Sequence, residues 1–202
     1  MRALGLGFVL ATFLMIGFAV VPAKADVLLE PYAGYEVGTL NMTYGSGAGV
    51  TNSGQSFQNS QTGFDLGLRL GYEFPLIFAA LDGMYTTGNV GSGSGTGSFS
   101  SSSMTRTSVF IDAGVHILFI RGYVGYGFVD NTAISTTNSP SFTGNAIKLG
   151  VSFTGIPFVD INVEYIMHTL TNYSIQNDPG NDFTSSGKNN VAMVSVSVPF
   201  LF

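Results

Sequence analysis

In residues 62–74, TGFDLGLRLGYEF, the side chains Phe64, Leu66, Leu68, Leu70, Tyr72 and Phe74 alternate with Asp65, Gly67, Arg69, Gly71 and Glu73. Successive side chains of a strand point to opposite faces, so the stretch predicts a strand with one apolar and one charged face. The same phase recurs along the chain. Val109, Ile111, Ala113, Val115 and Ile117 oppose Arg106, Ser108, Asp112 and Gly114. Ile147, Leu149, Val151 and Phe153 oppose Lys148, Gly150 and Ser152, and Val159, Ile161, Val163, Tyr165 and Met167 oppose Asp160, Asn162, Glu164 and His168. A final stretch sets Val194, Val196, Val198, Phe200 and Phe202 against Ser195 and Ser197. Eight such segments are predicted, at 27–45, 62–74, 76–87, 104–117, 120–133, 142–154, 157–173 and 189–202.

The connections alternate in length. Short ones fall at Pro75–Leu76, Leu118–Phe119 and 155–157. Long ones, rich in Gly, Ser, Thr and Asn, are predicted at 45–61, 88–103, 134–141 and 174–188. Only 9% of residues are charged against 45% hydrophobic, whereas an ordinary soluble domain carries about 25% charge. Beyond the first two dozen residues no apolar run reaches helix-spanning length, which disfavours a helical membrane protein.

The start supplies an export route. Arg2, the apolar run LGLGFVLATFLMIGFAVV and the small-residue site Ala23/Ala25 read as a signal peptide over residues 1–25, followed by a mature region 26–202. Its removal takes away Arg2 and Lys24, leaving five bases, twelve acids and a net charge of −7. Nucleic acid is therefore not an expected partner. An exported chain whose strands are apolar on one face fits an inside-out arrangement: apolar side chains to lipid, polar ones to a lumen. Lipid tolerates a sheet only if it closes, so the last stretch is expected to pair with the first. Strands of about ten residues, an even count, and short turns opposite long loops are the pattern of a transmembrane β-barrel in the bacterial outer membrane. The fold class is thus all-β, an eight-stranded antiparallel up-and-down barrel.

Over residues 26–202 the chain resembles the small eight-stranded bacterial outer-membrane barrels, such as the OmpA transmembrane domain, OmpX and the OmpW family. Phe202 matches the terminal aromatic of their assembly signal, with Phe200, Val198, Val196 and Val194 in its register. The resemblance implies recognition by the outer-membrane assembly machinery, with outer-membrane lipid around the wall. Pro199 departs from an ideal ladder and is expected at an unpaired position or near the periplasmic edge. Both chain ends then lie in the periplasm with the short turns, and the long loops lie outside, free for an extracellular ligand. No peptidoglycan-binding domain is expected after Phe202.

The facing assignment puts twelve charged groups into the lumen: Glu30, Glu36, Asp65, Arg69, Glu73, Asp82, Arg106, Asp112, Arg121, Lys148, Asp160 and Glu164. Buried charges need partners, so an internal salt-bridge network is expected. One consequence is that the network plugs the barrel. Another is a narrow cation-preferring path, for which lumen glycines 34, 67, 71, 114, 125 and 150 leave space. Leu68→Arg is expected to be costly and Gly67→Ser mild. Tyr72, Tyr85, Tyr126, Tyr165, Phe74, Phe153, Phe200 and Phe202 could form aromatic girdles.

Catalysis has little support. His116 falls near a short turn and His168 near the outer rim, where Ser and Asp are plentiful, but no spacing marks a nucleophile. His168-Thr169-Leu170 lacks the His-x-Ser of a lipid A deacylase. With two His and no Cys, no transition-metal site is expected. GSGSGTGS lacks the Gly-Lys-Ser/Thr of a phosphate loop. The sequence reads as a monomeric, non-enzymatic, cofactor-free barrel with a structural or surface-interaction role. A narrow pore, or an OmpW-like pathway for small hydrophobic molecules, is the alternative.

Overall fold

A computed structural model describes residues 25–43, 56–95, 101–136, 140–175 and 186–202. The export signal lies outside these residues except for Ala25. Antiparallel strands β1 (Asp26–Thr43), β2 (Ser56–Glu73), β3 (Ile77–Ser94), β4 (Ser102–Ile117), β5 (Ile120–Ile134), β6 (Pro140–Ile156), β7 (Val159–Ile175) and β8 (Ser186–Ser197) pair in chain order. A two-residue strand β9 (Phe200–Leu201) continues β8 beyond Pro199, so the wall has eight staves. β1 pairs with β2 on one side and with β8 and β9 on the other, which closes the sheet.

The closing seam keeps one register throughout. Tyr32 faces Ser197, Leu29 faces Phe200 and Leu28 faces Leu201. Val198 donates to the Pro31 carbonyl at 3.1 Å, and Val27 and Phe202 exchange hydrogen bonds of 3.0 and 3.2 Å. Pro199, which has no N–H, occupies the break between β8 and β9.

Strands β1 to β7, of 15 to 18 residues, and β8, of 12, exceed the roughly 9–11 that a tilted strand needs to cross a bilayer. The extra length comes from segments predicted as loops: residues 56–61, 88–94, 102–103 and 186–188 are strand. Their composition misleads because the pattern inverts there. Phe57, Val90, Met104, Phe142 and Leu170 point inward and join Leu40, Met42 and Ile134 in an apolar cluster inside the barrel. Ser56, Gln58, Ser60, Asn89, Ser103 and Thr105 point outward. Polar outside and apolar inside is the pattern of a barrel standing in water.

The change of chemistry on the outer surface is sharp. Going up the wall from the turns, each stave is apolar outward and then reaches Thr39, Thr62, Thr87, Thr107, Asn131, Asn145, Thr169 or Asn190. Three of the adjacent pairs in this ring, Thr39/Asn190, Thr107/Asn131 and Asn145/Thr169, are direct cross-strand partners. Beneath it on β4 the outward apolar run is Val109–Ile117, close to the crossing length above. Tyr35, Phe64, Tyr85, Tyr126 and Phe128 sit on the ring side of the belt, Tyr165 beside Leu149 at its middle, and Tyr72, Phe153, Phe200 and Phe202 on the turn side.

The short connections are Phe74–Leu76, Leu118–Phe119 and Pro157–Phe158. Leu118 and Phe158 have φ of 55° and 66°. That conformation costs an L side chain about 1–2 kcal/mol. The remaining connections are 44–55, 95–101, 135–139 and 176–185.

Candidate functional site: the barrel lumen

An eight-stranded barrel is just wide enough for its own side chains to fill it. Here the filling is built around Arg69 on β2. Its Nη1 donates to Glu30 Oε1 at 2.8 Å and its Nη2 to the Glu164 carboxylate, while Nε lies 3.3 Å from Asp82 and 3.7 Å from Asp112. Nη2 also donates to the Tyr123 hydroxyl at 3.1 Å. The guanidinium carbon lies 4.6 Å from the Tyr32 ring centre and 5.1 Å from that of Tyr123. Arginine suits this place because its planar fork serves several carboxylates at once and stacks on aromatic faces.

The other bases extend the network along the axis. Lys148 Nζ contacts Asp82 and, at 2.7 Å, Asp112, and it lies over the Phe110 ring. Toward the turns, Arg121 lies 2.7 Å from Glu30, 3.4 Å from Asp160 and 3.9 Å from Glu73. Toward the ring, Arg106 Nη2 donates to Glu36, whose Oε1 accepts from Gln61 at 2.6 Å. Gln61 in turn accepts from Asn189 Nδ2 at 2.7 Å. Asp65 has no base within 4.0 Å among the described residues and accepts instead from the Thr86 hydroxyl at 2.6 Å. All twelve charged groups assigned to the lumen from sequence therefore face it, and eleven of them meet an opposite charge.

Asp130 was missed by the alternation. Reading outward from Arg121, Tyr123, Gly125 and Gly127, period two would put Asp130 on the outside. The β4–β5 register shifts between Val109/Val129 and Phe110/Gly127, leaving an extra residue in β5. This bulge turns Asp130, Thr132 and Ile134 inward. The sequence did carry a sign of it: Phe128 and Val129 are adjacent apolar residues, and strict alternation would leave a bare carboxylate on an apolar wall. Asp130 Oδ2 lies 2.8 Å from His168 Nδ1, and Oδ1 accepts from Ser108 Oγ at 3.0 Å. Ser, Asp and His thus meet, but the hydroxyl proton is directed at the carboxylate rather than the imidazole. All three are buried, so the set lacks the nucleophile–base pair that acyl transfer requires. His116, at the other end, lies 3.1 Å from Glu73 and 3.0 Å from Thr154.

The lumen glycines do not leave open space beside them. A Cβ on Gly67 would sit 2.1 Å from the Tyr32 ring, one on Gly150 2.2 Å from Tyr123, one on Gly114 2.5 Å from Phe78, and one on Gly125 2.2 Å from Asp112. In each case the residue paired directly opposite on the adjacent strand has taken the missing side chain's place. Tyr32 is fixed there by donating to Asp82 at 2.9 Å. Apolar side chains also point inward at mid-height, among them Met84, Phe110, Ile166, Val191 and Met193. The face read as polar from sequence is therefore mixed.

Register shifts interrupt the β2–β3, β4–β5, β5–β6 and β6–β7 seams, and the widest gap is the β5–β6 one. Between β5 and β6 the ladder runs to Gly127/Ala146 and resumes at Asn131/Thr143. An open depression of about 390 Å³ lies there on the outer surface, lined by Tyr126, Phe128, Asn131, Thr143, Asn145 and Thr171, with Asp130 among its lining residues.

No protein-family model and no curated protein matches the chain. Among solved structures it is similar to Neisserial surface protein A (NspA), with 15% identity, 84% of this chain and 97% of that one covered, and a TM-score of 0.47. It is also similar to the outer membrane protein OprG from Pseudomonas aeruginosa, with 13% identity, coverage of 88% and 97%, and a TM-score of 0.46. The outer membrane protease OmpT from Escherichia coli matches at 9% identity, coverage of 90% and 99%, and a TM-score of 0.40. The strand pairing by itself makes the chain a closed eight-stave antiparallel barrel.

Proposed function

We propose that the chain is an integral, monomeric barrel of the bacterial outer membrane with a structural or surface-interaction role and no enzymatic activity of its own. The observation that carries this reading is the filled lumen. The Arg69 network between Tyr32 and Tyr123 occupies its middle, and the cluster around Phe57, Phe142 and Leu170 closes the end away from the turns. A barrel without a path offers its surface instead. That surface is the apolar belt for lipid, then the Thr/Asn ring and the polar collar above it, then the connections outside the described residues. An extracellular ligand would meet the collar and those connections. The reading is tested by single-channel recording of protein shown to be folded by heat-shifted gel mobility. Silence is the expected result, and discrete steps would refute it.

The β5–β6 seam favours a second reading, a lateral pathway for small hydrophobic molecules. The chain contains no Cys, so Asn131→Cys with Thr143→Cys would staple the seam cleanly. Uptake of an apolar solute into vesicles, lost on oxidation and regained on reduction, would put this reading first.

A further inference from the structure

The three short connections carry only apolar residues: Phe74-Pro75-Leu76, Leu118-Phe119 and Pro157-Phe158. A turn in water is usually built from Gly, Asn, Asp or Ser. Leu118 and Phe158 instead hold positive φ, where bulky residues are outliers, and both side chains are 84% exposed. Each therefore combines a strained backbone with a bare apolar side chain, and Gly or Asn would relieve both. Leu76, Ile117, Phe119 and Phe202 are exposed at the same end, with Phe202 held there by its hydrogen bonds to Val27.

The two borders of the apolar belt also differ. One is the ring of Thr and Asn. At the turn end no outward Thr, Asn or charged side chain borders the belt among the described residues, and the apolar surface runs over the tips. Inside the tips the chemistry changes again. Glu73, His116, Arg121 and Asp160 face an open mouth of about 500 Å³ whose rim is Leu118, Phe119, Ile156, Phe158 and Leu201. An apolar rim around a charged floor fits a boundary plane lying across this end of the barrel.

We propose that the turn tips and Phe202 form a lipid-contact surface sunk into the headgroup–acyl boundary of the leaflet on the turn side, so that the barrel ends flush with the membrane. Lipid is the favoured occupant because the apolar surface is spread over three separate turns and the terminal strand, and is continuous with the belt. A protein partner would more naturally cover one contiguous patch. The proposal rests on the membrane reading above and adds the depth at which this end sits.

The chain has no Trp, so a single introduced Trp is a clean reporter. Phe158→Trp and Leu118→Trp report the tips, Leu149→Trp the middle of the belt, and Thr62→Trp the ring. Each folded variant is placed in phosphatidylcholine vesicles brominated either near the headgroup or deep in the acyl chains, and is also exposed to aqueous iodide. The expected result is deep quenching at position 149, shallow-bromine quenching at 118 and 158, and little effect of iodide at the tips. Tips quenched by iodide but not by bromine would overturn the proposal while leaving the membrane reading intact. Tips reached by neither quencher would point to a protein partner or a second copy, and would also overturn it. Failure of bromine to reach position 149 would bring down the membrane reading itself. If the Trp variants do not fold, Leu118→Gly combined with Phe158→Gly decides. Relief of strain in water raises the urea midpoint, whereas loss of lipid contact lowers it.

Discussion

Neighbouring residues in β2 carry opposite burdens. Leu68 points outward into the apolar belt, and Gly67 points inward beneath the Tyr32 ring. A charge on a lipid-facing mid-belt position costs about 2–4 kcal/mol, so Leu68→Arg should lower the unfolding free energy in vesicles by that amount. Gly67→Ser, mild on the sequence reading, is not mild here. Tyr32 is held by Asp82 and stacked on Arg69, so it has little room to yield to a new Cβ. Overpacking of this kind costs about 1–3 kcal/mol, and Gly67→Ala should show it in urea titration. Gly83→Ala is the matched control, because nothing lies within 4 Å of its added methyl. Equal midpoints for the two alanine variants would contradict the covered-glycine account. Arg69 is the most connected lumen residue, and removing it leaves four carboxylates short of a partner. Breaking a buried pair from one side costs about 3–5 kcal/mol, so Arg69→Met should destabilise by at least that range. Adding Glu164→Gln should recover part of the loss, and a strictly additive double variant would show that Arg69 and Glu164 do not interact.

At the scale of elements, legibility followed the environment of each strand segment. Within the belt the outside is apolar, the inside holds the charges, and period two identified both faces. This is why Glu30, Glu36, Asp65 and the other nine charged residues could be placed inward from sequence. Above the ring the outside turns polar, and Ser/Gly/Asn-rich strand such as 56–61 is indistinguishable from loop by composition. The β5 bulge hid Asp130, since a single extra residue reverses every later side chain of the stave. The glycines misled for a related reason: a missing side chain reads as space, although the residue paired opposite it on the next stave fills it. The β8–β9 stave is the element that closes the wall, and its last ladder bonds join Phe202 to Val27. Deleting Phe202 removes both bonds together with an exposed aromatic, and the resemblance assigns that aromatic to the assembly signal. Less heat-shifted, protease-resistant protein should then reach the outer membrane. Pulse-labelled fractionation measures this, and an unchanged yield would remove the assembly role from Phe202.

The whole molecule combines two barriers of different chemistry along one axis. The lower is electrostatic. Nine carboxylates, including Asp130, face four permanent cations, and Arg69 fills the space between two tyrosine rings. The upper is apolar, with Leu40, Met42, Phe57, Val90, Met104, Ile134, Phe142 and Leu170 packed across the barrel above the belt. An ion must cross both, because the barriers lie in series. Neither Arg69→Ala with Tyr32→Ala, nor Phe57→Ser with Leu170→Ser, should conduct when made alone: the first pair leaves an apolar constriction that excludes water, and the second leaves the charged plug. All four together should give discrete single-channel steps. Those steps should favour cations over anions, since carboxylates outnumber bases in the opened path. The asymmetry of possible outcomes is informative. Conduction by the lower pair alone would show that the apolar cluster is packing and not a seal. Conduction by the upper pair alone would show that water already threads the Arg69 network. An anion-selective quadruple variant would overturn the account of a path dominated by carboxylates.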